Sequence, residues 1–422
     1  MSGSSLMEFE PTRSAGLKRL EEFLPHAGRA YTNIRNHDEG APDAGWRRGV
    51  SQLSPWLHTG LLSEAEVIAA VLRAHSFDAA EKFVAEVFWR IYFKGYLQQR
   101  PVIWRSYVSN RDAALHDIET GAGRSADYVQ AISGETGIAA FDHWARELVS
   151  TGYLHNHARM WFASIWIFTL RLDWHLGADF FLRHLVDGDA ASNTLSWRWV
   201  GGLHTKGKTY LARADNIARY TANRPGGPLT AEGLAQTAAP LENEQEFVRE
   251  PLALPPPPHA AAFAQPYALL LHDEAASHVP LTLPHPPALI IGAARTKARS
   301  SCPIGEIPNS FGVDAVKNGI AEAAAAFRCE VRDWHPGAAL ADILKQTGVD
   351  RIVLPHLAEG WTRDNLMPEL APMIARGEAV ELMPELSRVT WPHAKAGFFG
   401  VNKMIPALLA DAGIAGSASP PP

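Results

Sequence analysis

The first 250 residues carry apolar side chains at the spacing of amphipathic helices. Residues 14–24 repeat apolar positions every three or four residues, and Ser14 is a candidate N-cap at their start. Residues 63–74 begin with Ser63 and Glu66, which have the spacing of a capping box. Further helices are predicted at 79–99, 138–151, 155–171 and 177–186. No strand-like alternation persists in this region, so we expect it to be all-α.

The pattern changes at the proline run LPPPPHA (254–260), which cannot continue a helix and forms a stiff spacer. Short apolar runs then alternate with helical stretches. Strands are predicted at 267–274, 288–294, 329–334 and 350–357, and helices at 313–327 and 337–347. This alternation predicts a parallel sheet flanked by helices.

These patterns predict a division of the chain into four parts. We expect a helical domain over 1–250, a proline-rich linker over 251–262, a smaller α/β domain of Rossmann-like type over 263–416 and a disordered tail over 417–422. A chain of 422 residues has room for two ordinary domains.

Composition narrows the class of protein. Hydrophobic residues make up 46% of the chain and charged residues 20%, which is typical of a soluble globular protein. No run approaches the roughly 18 apolar residues that a membrane-spanning helix needs. The first residues lack the apolar core of a secretory signal. We therefore expect a monomeric, cytoplasmic protein that does not bind membranes.

Candidate metal ligands are few. Cys302 and Cys329 are the only cysteines, which excludes a disulfide scaffold and any four-cysteine zinc or iron–sulfur site. Asp187 and Asp189 flank a glycine, but no histidine or further carboxylate follows at ligand spacing. We expect no metal site and no iron–sulfur cluster.

The charge of the chain leaves nucleic-acid binding open. The formal net charge of −6 argues against duplex DNA, because such proteins gain affinity by releasing counterions from phosphates. Local basic clusters can override this balance. The segment 201–221 contains Lys206, Lys208, Arg213 and Tyr210, which fits either a basic and aromatic nucleic-acid surface or a solvated loop and helix face.

Three segments carry a family resemblance. Residues 155–199 contain HN-x-x-RM, DW, F-x-x-x-LVDGD-x-A-x-N and W-x-W in that order. Upstream stand SQLSPWLHTGLLS (51–63) and FVAEVFWRIYF (83–93). Together they resemble the flavin-binding core of the DNA photolyase/cryptochrome family over about residues 15–215. The resemblance implies that the helical domain is an all-α FAD-binding domain of that type.

The resemblance also implies which side chains hold FAD. Ser51, Leu53 and Ser54 would offer hydroxyl and backbone N–H groups to the pyrophosphate. Gln52 replaces a basic residue of the family, and Arg90 is the candidate for the missing charge. The whole implied FAD-binding set is Tyr31, Ser51, Gln52, Leu53, Ser54, Phe83, Glu86, Arg90, Tyr153, Asn156, Arg159, Asp187, Asp189 and Asn193.

Within that set, four residues are expected at the flavin ring system. Arg159 would pair with Asp187 over the isoalloxazine, because a buried carboxylate needs a partner. Asp189 would accept hydrogen bonds from the ribityl chain or the ring edge. Asn193 matches the residue that faces flavin N5.

The resemblance points to a cyclobutane-dimer enzyme. Glu86 and Trp89 are three residues apart on one helix face, where repair enzymes of the family hydrogen-bond and stack on the damaged base. Asn156 and Met160 stand where enzymes for (6-4) photoproducts carry histidines. The implied catalytic set is therefore Glu86, Trp89, Asn156, Met160 and Asn193. The implied activity is light-dependent repair of pyrimidine dimers in single- or double-stranded DNA, by electron transfer from excited reduced FAD to a flipped-out lesion.

Ten of the thirteen tryptophans precede residue 200, which fits either core packing or a chain of rings. By the resemblance, Trp197 and Trp174 match the two inner rings of an electron relay. The outermost position, near residue 121, has no tryptophan, so Trp104, Tyr107 or Trp166 is the candidate there. His157 stands where many family members carry a phosphate-contacting arginine. It joins Lys206, Lys208 and Arg213 as the candidate DNA-binding set.

Departures from the family pattern keep other functions open. The α/β domain of the family precedes the FAD domain, whereas here an α/β domain follows it, and whether a second, antenna chromophore binds stays open. The alternatives to repair are a cryptochrome-like blue-light receptor and a flavoprotein that binds nucleic acid without repairing it.

Overall fold

A computed structural model describes residues 9–40, 46–121, 123–242, 247–257, 263 and 265–414. Before residue 250 its described residues form helices and no strand, as the sequence predicts. The helices are α1 Arg13–Phe23, α2 Arg29–Ile34, α3 Ser54–His58, α4 Glu64–Ala74, α5 Phe77–Gln98, α6 Pro101–Glu119, α7 Ser125–Ser133, α8 Ala139–Thr151, α9 Asn156–Ser164, α10 Trp174–His184, α11 Ala190–Val200 and α12 Ala214–Tyr220.

Local capping sets several of these boundaries. The capping box of α4 forms as predicted, with Ser63 accepting from the backbone N–H of Glu66. Helix α1 is capped by Thr12 and not by Ser14, because the Thr12 hydroxyl accepts from the backbone N–H of Ala15. Helix α6 was not predicted. It begins with a proline at N1, a position that needs no backbone donor.

The helix predicted at 155–171 is two elements. Helix α9 ends at Ser164 and continues as a π-helical turn over Ile165–Thr169. Helix α10 then begins at Trp174, earlier than predicted, because the Asp173 carboxylate accepts from the backbone N–H of His175 and caps it.

The second half contains a five-stranded parallel sheet in the order β3-β2-β1-β4-β5. The strands are β1 Ala268–His272, β2 Leu289–Ala293, β3 Glu330–Asp333, β4 Ile352–Pro355 and β5 Ala379–Leu382. The helices that follow are α13 Glu306–Phe327, α14 Leu340–Thr347, α15 Trp361–Ala375, α16 Glu385–Thr390, α17 Phe399–Asn402 and α18 Ile405–Asp411. Strands β1, β2 and β4 are buried on both faces, which explains their continuous apolar sequences.

One buried cluster joins the helical half, which precedes residue 250, to the second half, which contains the sheet. The ring of Trp56 on α3 lies 6.4 Å from that of Phe311 on α13. The backbone N–H of Ala276 donates to Thr59 O at 2.8 Å, and Gly60 leaves no room for a Cβ beside Ala275. The division into domains stays a prediction, and residues 258–262 of the predicted linker and the predicted tail lie outside the described residues. Among the helices that the structure describes, none has the length and apolar character to cross a membrane.

Candidate functional site

The loop before α3 has the geometry of an anion-binding turn. Gln52 adopts a positive φ of 54°, and the Ser51 hydroxyl accepts from the backbone N–H of Leu53 at 3.3 Å. Arg19 is the nearby cation, since its Nε donates to Ser51 O at 2.6 Å and its Nη2 to Val50 O at 3.1 Å. Sequence reasoning missed Arg19, which lies in an ordinary amphipathic helix some thirty residues upstream.

Arg90, the residue expected to supply the missing charge at this loop, forms ion pairs with carboxylates. Its Nε donates to Glu64 Oε1 at 2.9 Å, and its Nη2 lies 3.4 Å from Asp189 Oδ2. The charge of Arg90 is therefore balanced by two carboxylates.

The expected pair of Arg159 and Asp187 forms. Arg159 Nη2 donates to Asp187 Oδ2 at 2.9 Å, and the Asp187 side chain is 5% exposed. Burial alone raises the pKa of Asp187, but the Arg159 guanidinium outweighs it and holds that pKa below its ordinary value. The other oxygen, Oδ1, is buried and makes no hydrogen bond of ordinary length within the described residues. The Ser54 side chain lies near the carboxylate and also helps to lower the pKa of Asp187. A buried ionised oxygen requires a donor, and a bound ligand can supply one.

Asp189 makes more polar contacts with the protein than the sequence predicted. It caps α11 by accepting from the backbone N–H of Ser192 at 2.7 Å. Lys94 Nζ and Arg90 Nη2, both on α5, each lie 3.4 Å from its Oδ2. Burial raises the pKa of Asp189, yet Lys94 and Arg90 hold it well below the ordinary range. Asp189 therefore ties α11 to α5 in addition to any contact with a ligand.

The remaining predicted FAD-binding residues are mostly buried. Tyr153 lies between two cations, with the guanidinium carbons of Arg47 and Arg159 each 5.4 Å from its ring. Tyr31 and Phe83 pack edge to face at 5.3 Å. Asn193 is buried, and its Nδ2 donates to Ala178 O on α10 at 2.8 Å, which fixes its orientation.

Arg35 connects two predicted catalytic regions. The side chains of Arg35 and Glu86 form an ion pair in which both are about one-third exposed. His155 donates from Nε2 to Arg35 O at 3.1 Å and caps α9, whose first residue is Asn156. Arg35 thus brings Glu86 and the exposed Asn156 to one region of the surface. Met160 is one helical turn further along α9 and is half-buried. No local pattern in the sequence indicated this role of Arg35.

Trp89 does not present both ring faces to a ligand. The ring of Phe398 stacks on it, with centroids 4.0 Å apart and an interplanar angle of 19°. Phe398 belongs to a covering segment, residues 391–402, which lies along α5. Sequence reasoning missed this contact because the two rings are more than three hundred residues apart.

Hydrogen bonds to backbone carbonyls fix the covering segment. The Tyr92 hydroxyl donates to Ala396 O at 2.6 Å, and Arg100 Nη2 donates to Lys395 O at 2.7 Å. Gln99 Nε2 donates to the carbonyls of Trp391 and Ala394. All three donors are on α5 or directly after it. The position of the covering segment therefore does not depend on the Phe398 ring alone.

The aromatic residues of the predicted relay form two groups. Trp197 lies 6.2 Å from Trp166, edge to face. Trp174 lies 5.7 Å from Tyr107, which lies 5.3 Å from Trp104. Of the three candidates for the outer position, Tyr107 and Trp104 therefore extend from Trp174, whereas Trp166 adjoins Trp197.

The candidate DNA-binding residues lie in different environments. Lys206 and Lys208 are exposed, and the Arg213 side chain is 71% exposed with Nε 3.4 Å from Asp215. His157 stacks on Tyr220 at 5.7 Å, and burial lowers its pKa to about 4, so it is neutral at pH 7. A neutral imidazole cannot replace the charge of a phosphate-contacting arginine.

A cleft lies between the two halves at the carboxyl ends of β1 and β4, where the strand order reverses. It measures about 740 Å³ with its open mouth. Its lining includes Glu274 and His356 from the sheet side and Glu64, Arg90 and Lys94 from the helical side. Such switch points are the usual ligand sites of open α/β sheets. Nowhere in the described residues do three or more histidine, cysteine or carboxylate side chains gather as metal ligands.

Comparison with known proteins agrees with this geometry. Residues 83–224 match the family model described as the FAD binding domain of DNA photolyase. This match defines a flavin-binding class of helical domain. The matched segment, residues 83–224, belongs to the photolyase/cryptochrome family.

Individual relatives carry two kinds of name. A deoxyribodipyrimidine photo-lyase of Streptomyces griseus is 37% identical over 217 residues, which cover 48% of this chain and 44% of the relative. A cryptochrome DASH of Synechocystis sp. is 30% identical over 205 residues, which cover 47% and 40%. The solved structure of a Synechocystis sp. cryptochrome covers 52% of this chain and 45% of its own at 26% identity, with a TM-score of 0.43. The chain spans less than half the length of each of them.

Proposed function

We propose that this protein binds FAD and uses it for light-dependent repair of cyclobutane pyrimidine dimers in DNA. The observation that carries the proposal is the buried Arg159–Asp187 pair, whose second carboxylate oxygen makes no hydrogen bond of ordinary length within the described residues. It lies within the segment that matches the FAD binding domain of DNA photolyase. Relatives named deoxyribodipyrimidine photo-lyase favour repair as the activity.

The residues present fit the cofactor. The loop at Ser51–Ser54, with Arg19 behind it, would hold the pyrophosphate through backbone N–H groups and hydroxyls. Asp187 would accept a hydrogen bond from the ligand at Oδ1, while Arg159 keeps the carboxylate ionised. Asn193 would offer its amide to the ring system.

Bound reduced FAD supplies the light absorption and the electron that splits the dimer. Glu86 would hydrogen-bond the damaged pyrimidine, and Trp89 would stack on it. Arg35 would hold the Glu86 carboxylate in place. Exposed Lys206 and Lys208 would contact backbone phosphates, which we expect to make binding salt-dependent.

Glu86→Gln should lower repair without lowering FAD content. The pair with Arg35 is about one-third exposed, so its loss costs little stability. A hydrogen bond to a charged group contributes roughly 1.5–3 kcal/mol, so the repair yield should fall about tenfold or more. The measurement is restored thymine after illumination of dimer-containing single- and double-stranded DNA with the reduced proteins, against dark samples.

Three outcomes decide against parts of the proposal. A wild-type protein that is colourless and releases no FAD on denaturation would contradict the cofactor. Wild-type protein that is yellow but restores no thymine in either DNA would favour the receptor. An equal loss of repair and FAD in Glu86→Gln would make Glu86 a structural residue.

Trp197→Phe should abolish most photoreduction of the bound FAD while leaving FAD content unchanged, because phenylalanine is much harder to oxidise than tryptophan. The matched control is Trp161→Phe, since Trp161 is equally buried but stacks on Trp144 at 5.5 Å, outside both aromatic groups. The measurement is the loss of oxidised-flavin absorbance under blue light with an external thiol. A normal rate in Trp197→Phe, or equal losses in both variants, would remove Trp197 from the relay.

A second candidate function is a cryptochrome-like light receptor. The stack of Phe398 on Trp89 favours it, because that ring face is closed to a flipped-out base. In this function the covering segment would be the element whose position responds to light. A cryptochrome DASH among the relatives is consistent with it.

A further inference from the structure

Arg299 belongs to the second half of the chain, but its side chain hydrogen-bonds to the helical half. It ends a short 3₁₀ helix, Thr296–Arg299, that follows β2, and it is 1% exposed. Its Nη1 donates to Leu185 O at 2.8 Å, and its guanidinium carbon lies 5.2 Å from the Trp361 ring. A fully buried guanidinium is costly unless its donors are used.

The point of contact is the turn that carries the two site carboxylates. Leu185 ends α10 and opens the turn, residues 185–189, that leads to α11. Arg299 Nη1 also lies 2.9 Å from the position that a Cβ would take at Gly188. Arg299 therefore packs directly against the glycine between Asp187 and Asp189.

Arg299 also fixes the imidazole beside that turn. Its Nη2 lies 3.1 Å from His58 Nε2, and burial lowers the pKa of His58, so the imidazole is neutral. A neutral ring that accepts at Nε2 carries its proton on Nδ1. Nδ1 faces Asp189 Oδ2 at 3.9 Å. The guanidinium thus contacts Leu185, at the start of the turn, directly. His58 lies between the guanidinium and Asp189, at the end of the turn.

We propose that Arg299 is a positioning residue of the flavin site, holding the 185–189 turn so that Asp187 and Asp189 face the ligand. The inference rests on the proposed binding of FAD. It adds that the site is completed by a residue of the second half of the chain, far from the proposed FAD-binding residues in sequence and outside the segment 83–224 that matches the family model.

Arg299→Met tests this, with Arg295→Met as the matched control. Arg295 precedes the same 3₁₀ helix, is 5% exposed, lies 4.8 Å from the Trp334 ring and donates to Trp334 O at 2.7 Å. It makes the same kinds of contact with other partners. Loss of the Arg299 hydrogen bonds should lower FAD affinity about tenfold or more, whereas Arg295→Met should bind as the wild type does. Affinity is measured by flavin fluorescence on titration of the FAD-depleted proteins.

Hydrogen exchange of the same variants separates this inference from the proposed function. The backbone N–H of Val186 donates to Gly152 O at 2.9 Å, and that of Asp189 to Asp187 O at 2.7 Å. In Arg299→Met these amides should exchange faster, and in Arg295→Met they should not, whether or not FAD binds. Wild-type protein without FAD affinity would end the proposed function. Unchanged exchange in Arg299→Met, or equal changes in both variants, would overturn the positioning role. If Arg299→Met does not fold, Arg299→Gln, which keeps one donor, takes its place.

Discussion

Phe398→Ala should strengthen the binding of dimer-containing DNA by about fivefold or more, and increase repair in proportion. Stacking of a base on an aromatic side chain contributes roughly 1–3 kcal/mol. In the folded protein Phe398 occupies that position on Trp89, with centroids 4.0 Å apart. A flipped-out base that stacks on this face of Trp89 must therefore displace the phenylalanine. Alanine removes the competing ring.

Phe398→Ala should change the surroundings of Trp89 without moving the covering segment. Tyr92, Gln99 and Arg100 hold the covering segment through its backbone, so it should stay in place without the ring. A buried Phe→Ala change costs about 3–5 kcal/mol of stability, so affinities must be normalised to the folded fraction.

Phe399→Ala is the matched control for Phe398→Ala. Phe399 is the neighbouring residue and is 82% exposed. Phe399→Ala should leave both the affinity for dimer-containing DNA and the repair yield unchanged. Affinity is measured by anisotropy of a labelled oligonucleotide, with and without a dimer. Unchanged affinity in Phe398→Ala would mean that the substrate does not stack on the face of Trp89 that Phe398 covers.

Arg159→Leu should remove most of the bound FAD at neutral pH. Arg159 is the direct partner of a carboxylate that is 5% exposed. Breaking a buried pair by removing one partner costs about 3–5 kcal/mol, because the remaining charge is uncompensated. The double variant Arg159→Leu/Asp187→Asn should recover stability, because it also removes the buried carboxylate charge of Asp187. Melting temperature and FAD content are the measurements.

The pH dependence of stability should reverse in this variant. In the wild type the pKa of Asp187 is lowered, so its contribution is present above the ordinary aspartate pKa of about 3.9 and lost as the pH falls through the folded pKa. Without Arg159 burial dominates and raises the pKa of Asp187. Arg159→Leu should then be more stable at pH 5 than at pH 8. Equal pH profiles in the two proteins would show that Arg159 does not govern Asp187.

Local pattern predicted several of the elements, and the family resemblance predicted part of the site. The capping box at Ser63 forms, and so does the pair of Arg159 with Asp187 that the resemblance implied. The predicted strand runs contain β1 to β4. For β1, β2 and β4 the reason is that buried parallel strands are continuous apolar stretches. Strand β5 and helix α15 were missed. Strand β5 has only four residues, and α15 contains Pro368 and Pro372, which usually indicate a helix end.

Long-range contacts account for what the sequence could not show. Arg19, Arg35 and Phe398 each complete a predicted feature from a distant part of the chain. Arg90 lies on the expected helix, but its guanidinium pairs with the carboxylates of Asp189 and Glu64, which no local motif indicated. No periodicity or motif encodes a partner that only the tertiary fold brings near. The roles of these residues stay predictions until the variants are measured.

The hydrogen bond from Arg299 to Leu185 bears on how the protein is made. Protein domains generally fold in the order of their synthesis, the N-terminal one first. The carbonyl of Leu185 therefore leaves the ribosome well before the guanidinium that holds it. A nascent helical half can form its helices, but its 185–189 turn gains the contacts of Arg299 only after the second half has been made. By this order, capture of the flavin is a late step of biosynthesis, completed when the second half of the chain is in place.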